Sequence, residues 1–115
     1  MIQKSEIKAA HNLLVLWDCS DLVISDLLDL SLEDKKKFFS HKYESIQFTE
    51  DQVELFRLIH KIHRLLKKKF IIGPEIYGMM QKKHEFFDNL TPLSWLIKNK
   101  AQPQLFLDKL DNCPR

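Results

Sequence analysis

The stretch TEDQVELFRLIHKIHRLLKKK, running from Thr49 to Lys69, decides the fold class. Leu55, Leu58, Ile59, Ile62, Leu65 and Leu66 recur at three- and four-residue spacing, so they form one apolar stripe on a long helix. Thr49 and Gln52 have capping-box spacing, and Glu50 and Asp51 suit the positive end of the helix dipole. Lys67, Lys68 and Lys69 suit its negative end. No period-2 strand series stands anywhere in the chain. The reading is therefore all-α.

Working toward the N-terminus, Ser40 to Phe48 reads as a connector. Before it, Ser31 is placed to cap a helix from about Leu32 to Phe39, and Ser20 one through about Leu28. The first helix covers about Lys4 to Trp17, with Ile7, Ala10, Leu13, Leu14 and Trp17 on one face. Three short helices with tight turns are compatible with a helix-turn-helix-like subdomain over residues 1–47. Residues 48–115 then make a second, small helical domain. Toward the C-terminus, Phe70, Ile71 and Ile72 are expected to turn inward before the break at Gly73 and Pro74. A short helix follows to about Lys82. Thr91 can cap another, with Pro92 in its first turn, where no intrahelical bond is lost. The last starts near Pro103 and carries Leu105, Phe106, Leu107 and Leu110, for about seven helices in all.

The 115 residues support one core or one core with a small appended subdomain. With 44% hydrophobic and 30% charged residues, the composition is that of a globular, soluble chain. A net charge of +2 gives little global attraction to nucleic acid. No apolar run is long enough to span a bilayer, and the first residues lack the apolar core of a secretion signal. Cys19 and Cys113 have no motif spacing, and a buried or free thiol is expected at each. These features favour the cytoplasm.

Five histidines raise the question of a metal. His60 and His63 share a helix face, but no third ligand stands at a defined spacing, and Arg57, Lys61 and Arg64 oppose a further cation. Solvated helix histidines are the expectation, with no metal and no cofactor. There is no nucleophile elbow, phosphate loop or dinucleotide fingerprint, so no catalytic residue is assigned. The run from Arg57 to Lys69 has no acid and could meet phosphates or an acidic partner surface. In the first subdomain, Lys35, Lys36 and Lys37 are the candidate DNA contacts. Residues 1–43 carry no arginine, however, and set six lysines against seven acids (Glu6, Asp18, Asp21, Asp26, Asp29, Glu33 and Asp34). That is a weak footprint for a duplex reader.

The segment MMQKKHEFFDNLTPL, Met79 to Leu93, resembles the C-terminal toxin-binding domain of the Xre/MbcA/ParS antitoxin family, whose pattern is roughly W-L-x-x-P-N-x-x-F-x-G-x-S-P-L. Phe87 stands at the family's phenylalanine, and Thr91, Pro92 and Leu93 at its Ser-Pro-Leu. Met79 replaces the tryptophan, Lys83 and His84 the Pro-Asn pair, and Asn89 the glycine, a mild exchange because asparagine tolerates the left-handed region. Upstream, residues 12–31 are similar to the family's opening, with Asp29 in place of its glycine, and residues 48–66 to its long helix, with Phe70 after it. The resemblance implies an antitoxin of a type II toxin-antitoxin system that binds a RES-domain toxin and occludes its NAD site. On that reading His84, Phe87, Asn89, Thr91 and Pro92, together with the helix from Pro103 to Asp111, lie near the toxin. The tail, residues 112–115, enters the pocket, and Arg115 meets a phosphate or carboxylate. It also implies a homodimer through the helical domains. A small DNA-binding regulator and an orphan helical adaptor remain as alternatives.

Overall fold

Most helices of this chain begin where a short polar side chain can close the first turn. The Val23 amide donates to Ser20 Oγ at 3.3 Å, the Asp34 amide to Ser31 Oγ at 3.1 Å and the Ser94 amide to Thr91 Oγ1 at 3.1 Å. Each of these side chains satisfies an amide that the helix itself leaves without a partner. Thr49 and Gln52 form the full reciprocal box. The Gln52 amide donates to Thr49 Oγ1 at 3.2 Å, and the Thr49 amide to Gln52 Oε1 at 2.9 Å.

The computed structural model describes residues 2–114. It is all-α: α1 Lys4–Leu16, α2 Asp21–Leu28, α3 Leu32–Phe39, α4 Glu50–Lys69, α5 Gly73–Gly78, α6 Pro92–Lys98 and α7 Pro103–Asn112. Three single 3-10 turns stand between them, at Tyr43–Ser45, Met79–Gln81 and Glu85–Phe87. The only extended pairing among the described residues is an isolated antiparallel bridge between His84 and Leu90. α5 is shorter than its sequence suggests. It stops at Gly78 and tightens into the Met79–Gln81 turn, which buries Met79 and Met80 and leaves Lys82 extended.

The chain resolves into two compact units, residues 1–59 and 60–115, divided within α4. In the first unit Ile7, Ala10, Leu13 and Leu14 of α1 and Trp17 just after it are buried, as are Ile24, Leu27 and Leu28 of α2. Phe38 joins them and stacks on Phe56 of α4, ring centroids 6.2 Å apart. Asp29 ends α2 in the left-handed region at φ 52°, a position that an aspartate tolerates better than most side chains. Gln52 reaches this end of α2 as well. Its Nε2 donates to Leu28 O at 2.9 Å, so one buried side chain caps the start of α4 and takes up a carbonyl from the end of α2.

In the second unit Ile62 and Leu66 of α4 are buried along with Met80, Phe87, Leu93, Leu96, Phe106 and Leu110. The Met79–Gln81 turn packs on α5 and α6, and α6 on α7. Phe70 is buried, but Ile71 and Ile72 are not: they are 93% and 57% exposed. The expectation that both turn inward is corrected here. α4 ends at Lys69, and the bend before Gly73 carries the two isoleucines outward.

Candidate protein-binding surface

The turn from His84 to Pro92 is built around left-handed backbone. Asp88 and Asn89 lie at φ 57° and 63°, two consecutive non-glycine residues in that region. The amides of Phe87 and Asn89 both donate to His84 O, at 2.9 and 3.1 Å, and the His84 amide donates to Leu90 O at 3.1 Å. His84 Nδ1 accepts from the Phe86 amide at 3.0 Å, so at that nitrogen the ring is unprotonated in this arrangement. Thr91 then caps α6, and Pro92 is buried at its first turn. Glu85, Asp88 and Asn89 are exposed along the outer side.

Under the turn lies an aromatic base. Phe87 is fully buried and meets Trp95 and Phe106 at centroid distances of 6.0 and 5.8 Å, while Trp95 and Phe106 are 6.0 Å apart. Trp95 Nε1 donates to Asp88 Oδ2 at 3.2 Å, which ties the left-handed aspartate to α6. Lys109 of α7 sets its ammonium 4.7 Å from the centre of the Phe86 ring and 5.4 Å from that of Trp95, within cation–π range. Of the residues selected from the sequence, His84, Phe87, Asn89, Thr91 and Pro92 thus belong to one turn, in which Phe87 and Pro92 are internal and Asn89 faces out. Asp88, Trp95 and Lys109 complete the unit. The sequence offered a signal for them only in the aromatic at Trp95, four residues past the Thr91 cap.

The first residues of the tail expected to enter a pocket are packed within the chain. α7 runs through Asn112, and Cys113 is buried with its sulfur 3.9 Å from the His84 ring. Burial pushes this thiol up, against the pull of Lys69 and Lys109, so it stands protonated beside the histidine. Lys69 donates to Asp111 O at 2.8 Å, binding the end of α4 to the end of α7. The end of α7 is thereby set beside the turn. Pro114 is exposed, and Arg115, the tail residue selected for an anionic site, lies outside the described residues. Cys19 is also free, and burial with the Asp18 charge pushes its thiol up to about 12.

Lys35, Lys36 and Lys37 all lie on α3, whose first turn is acidic. Lys37 is occupied within its own unit: it pairs with Glu33 at 3.5 Å and donates to Ser45 O at 3.2 Å. His63 is not a solvated helix histidine. Its ring stacks on Tyr77 at 5.8 Å, and its Nδ1 is buried with no hydrogen-bond partner among the described residues. Burial first, then Lys67 and His60, holds it neutral more readily than an ordinary histidine. Among the described residues no three His, Cys, Asp or Glu side chains converge as a metal ion needs.

A polar cluster that the sequence reading passed over lies in the first unit. Buried His11 Nδ1 is 2.7 Å from Tyr43 Oη, and His41 Nδ1 is 2.8 Å from the same oxygen. The two imidazoles stack with centroids 5.3 Å apart, and His11 also stacks on Phe38 at 4.4 Å. One hydroxyl has one proton, so it donates to one ring and accepts from the other. Burial lowers the His11 pKa, His41 lowers it further, and Asp21 acts in the opposite sense. The signal was faint because His11 occupies a flank of an otherwise apolar face of α1, where a single histidine reads as solvated.

The apolar stripe of α4 is used within the chain: Leu55, Ile59, Ile62 and Leu66 are all buried. It therefore offers no open face to a second copy. The exposed large apolar side chains are Val15, Leu16, Leu22 and Leu32 in the first unit and Ile71, Ile72 and Leu105 in the second. No helix among the described residues is long and apolar enough to cross a membrane. Comparison with protein-family models, with curated proteins and with solved structures yields no match to this chain.

Proposed function

We propose that this chain is a cytoplasmic antitoxin that binds a RES-domain toxin and covers its NAD site, using the turn from His84 to Pro92 and the adjoining end of α7. The observation that carries the reading is the pairing of these two segments: Cys113 seats the end of α7 against His84, while Phe87 anchors the turn from below. Neutralisation by occlusion needs no catalytic group. It needs a surface already in its binding shape, because ordering a loop on contact subtracts from affinity. Two left-handed residues held by hydrogen bonds to His84 and Trp95 supply such a surface. Glu85, Asn89 and Thr91 supply its polar contacts, while Phe87 and Pro92 act by shaping it. Cofactors and metals have no part in this role.

The proposal includes self-association through apolar side chains exposed in the single chain rather than through α4. Light scattering at high micromolar concentration is expected to give a dimer, and a monomer argues against that part. The rival reading, a helix-turn-helix DNA regulator, is less well supported because Lys37 is engaged within its own unit and α3 begins with Glu33 and Asp34.

A growth assay tests the function. A RES-domain toxin is expressed alone and together with this chain. Restored growth and restored cellular NAD are expected on co-expression. Unrelieved NAD loss at equal toxin levels rejects the antitoxin role. A gel shift on the chain's own upstream DNA that is sequence-specific and lost with Lys35, Lys36 and Lys37 changed to Ala establishes the rival.

A further inference from the structure

The outer face of the second half of α4 has no role in the turn described above. From Leu55 to Lys68, every exposed residue of this helix is a cation: Arg57, Lys61, Arg64, Lys67 and Lys68. Arg57 is paired with Glu54 at 3.3 Å. The other four, all in the second unit, form no ion pair among the described residues. Lys61, Arg64 and Lys68 lie at i, i+3 and i+7, one above another on a single face. With a rise of about 1.5 Å per residue they extend over ~10 Å of helix, with Lys67 flanking them. The nearest acids in sequence are Glu54 and Glu75.

We infer that Lys61, Arg64, Lys67 and Lys68 form a binding surface for the phosphate backbone of a nucleic acid, without base recognition. The composition of the face selects this partner over an acidic protein. Protein interfaces centre on aromatic and apolar anchors and are depleted in lysine. This face has no exposed apolar side chain between the cations, and three of its four charges are lysines. Phosphate binding, by contrast, needs only cations in a row, and its free energy comes from counterion release. The face carries no Asn, Gln, Asp or Glu to read adenine or cytosine edges, so its contacts are expected to go mainly to phosphates. The surface lies on α4, not on the α3 lysines that the helix-turn-helix reading selects. It does not depend on toxin binding.

The test uses fluorescence anisotropy of the full chain with labelled mixed-sequence 20-nucleotide single strands and duplexes across a salt series. Binding is expected at low salt with little sequence preference, and log K should fall with log salt at a slope of about −2 to −4 for three to four phosphates. The triple change Lys61→Gln, Arg64→Gln, Lys68→Gln touches only exposed positions. It is expected to weaken binding more than tenfold and to flatten the slope by about 2 to 3. Lys35→Gln with Lys36→Gln is expected to leave binding within twofold. An absence of binding at low salt, equal binding by the triple variant with unchanged circular dichroism, or tighter binding to polyglutamate than to nucleic acid overturns the inference. The last outcome marks the face as a dock for an acidic protein.

Discussion

Asn89 and Asp88 show why the turn from His84 to Pro92 tolerates side chains where a glycine is the simpler choice. Both occupy the left-handed region, which costs an ordinary L-residue about 1–2 kcal/mol and asparagine or aspartate less. Asn89→Gly is therefore expected to be neutral to slightly stabilising, and Asn89→Val to destabilise by about 1–2 kcal/mol. Equal urea midpoints for the two variants would show that the turn is not held in this conformation. Beneath it, Phe87 touches Trp95 and Phe106 and is fully buried. Phe87→Ala is expected to cost about 3–5 kcal/mol, a loss that urea or thermal unfolding measures directly. A change below about 1 kcal/mol would mean the ring is not part of the core. Both residues were legible in the sequence, Phe87 from its place in the pattern and Asn89 from its tolerance of positive φ. Their partner Asp88 was not, because nothing local distinguishes a turn aspartate that receives an indole N–H from one in water.

Helix starts are the most legible elements, since a cap is a local event. Ser20, Ser31, Thr49 and Thr91 each cap where their sequence context places them. What a cap does beyond its own helix is long-range and hidden. Gln52 completes the box of α4, yet its amide nitrogen also donates to Leu28 O. Gln52→Ala should thus cost about 1–3 kcal/mol, since it removes both bonds and leaves a buried carbonyl without that donor. Gln52→Glu keeps the acceptor for the Thr49 amide but sets an oxygen against Leu28 O. It is expected to be as damaging as alanine at neutral pH and to recover toward wild type on acidification, when the carboxyl becomes a donor. Chemical unfolding of both variants beside wild type at each pH checks this.

The segment joining α3 to α4 carries a second element-scale consequence. His11 has a folded pKa below its ordinary 6.5, mainly because it is buried, and Tyr43 Oη bonds it. The unfolded chain therefore takes up a proton at this residue before the folded chain does. Its contribution to stability is complete above pH 6.5 and is lost as pH falls through the lower folded value, with a slope of at most about 1.4 kcal/mol per pH unit for that one proton. His63, also lowered, adds a decline of the same sign. A wild-type stability that stays flat from pH 7 to pH 5 contradicts this. His11→Phe should flatten part of the decline. Tyr43→Phe should lower stability at pH 7, because both imidazoles lose their shared partner.

At the scale of the molecule, the all-α class and the order of seven helices follow from periodicity and caps. Burial of the intervening segments does not. Ile71 and Ile72 are as apolar as any core pair, but α4 ends at Lys69 and the bend before Gly73 sends them outward. Cys113 follows a polar stretch and is nevertheless buried on His84, which only the path of α7 reveals. The same placement ties Cys113, the second residue of the tail, into the second unit. Removing residues 111–115 would therefore disturb the second unit, and occlusion is better probed on the turn's outer side. Glu85 is exposed there, at the start of the Glu85–Phe87 turn. The decisive measurement is calorimetric titration of a purified RES-domain toxin with wild type, Glu85→Arg and Lys36→Glu, each checked for folding by circular dichroism. The account predicts that wild type and Lys36→Glu bind alike and that Glu85→Arg loses at least tenfold in affinity, about 1.4 kcal/mol. No binding by wild type, or equal binding by Glu85→Arg, contradicts it.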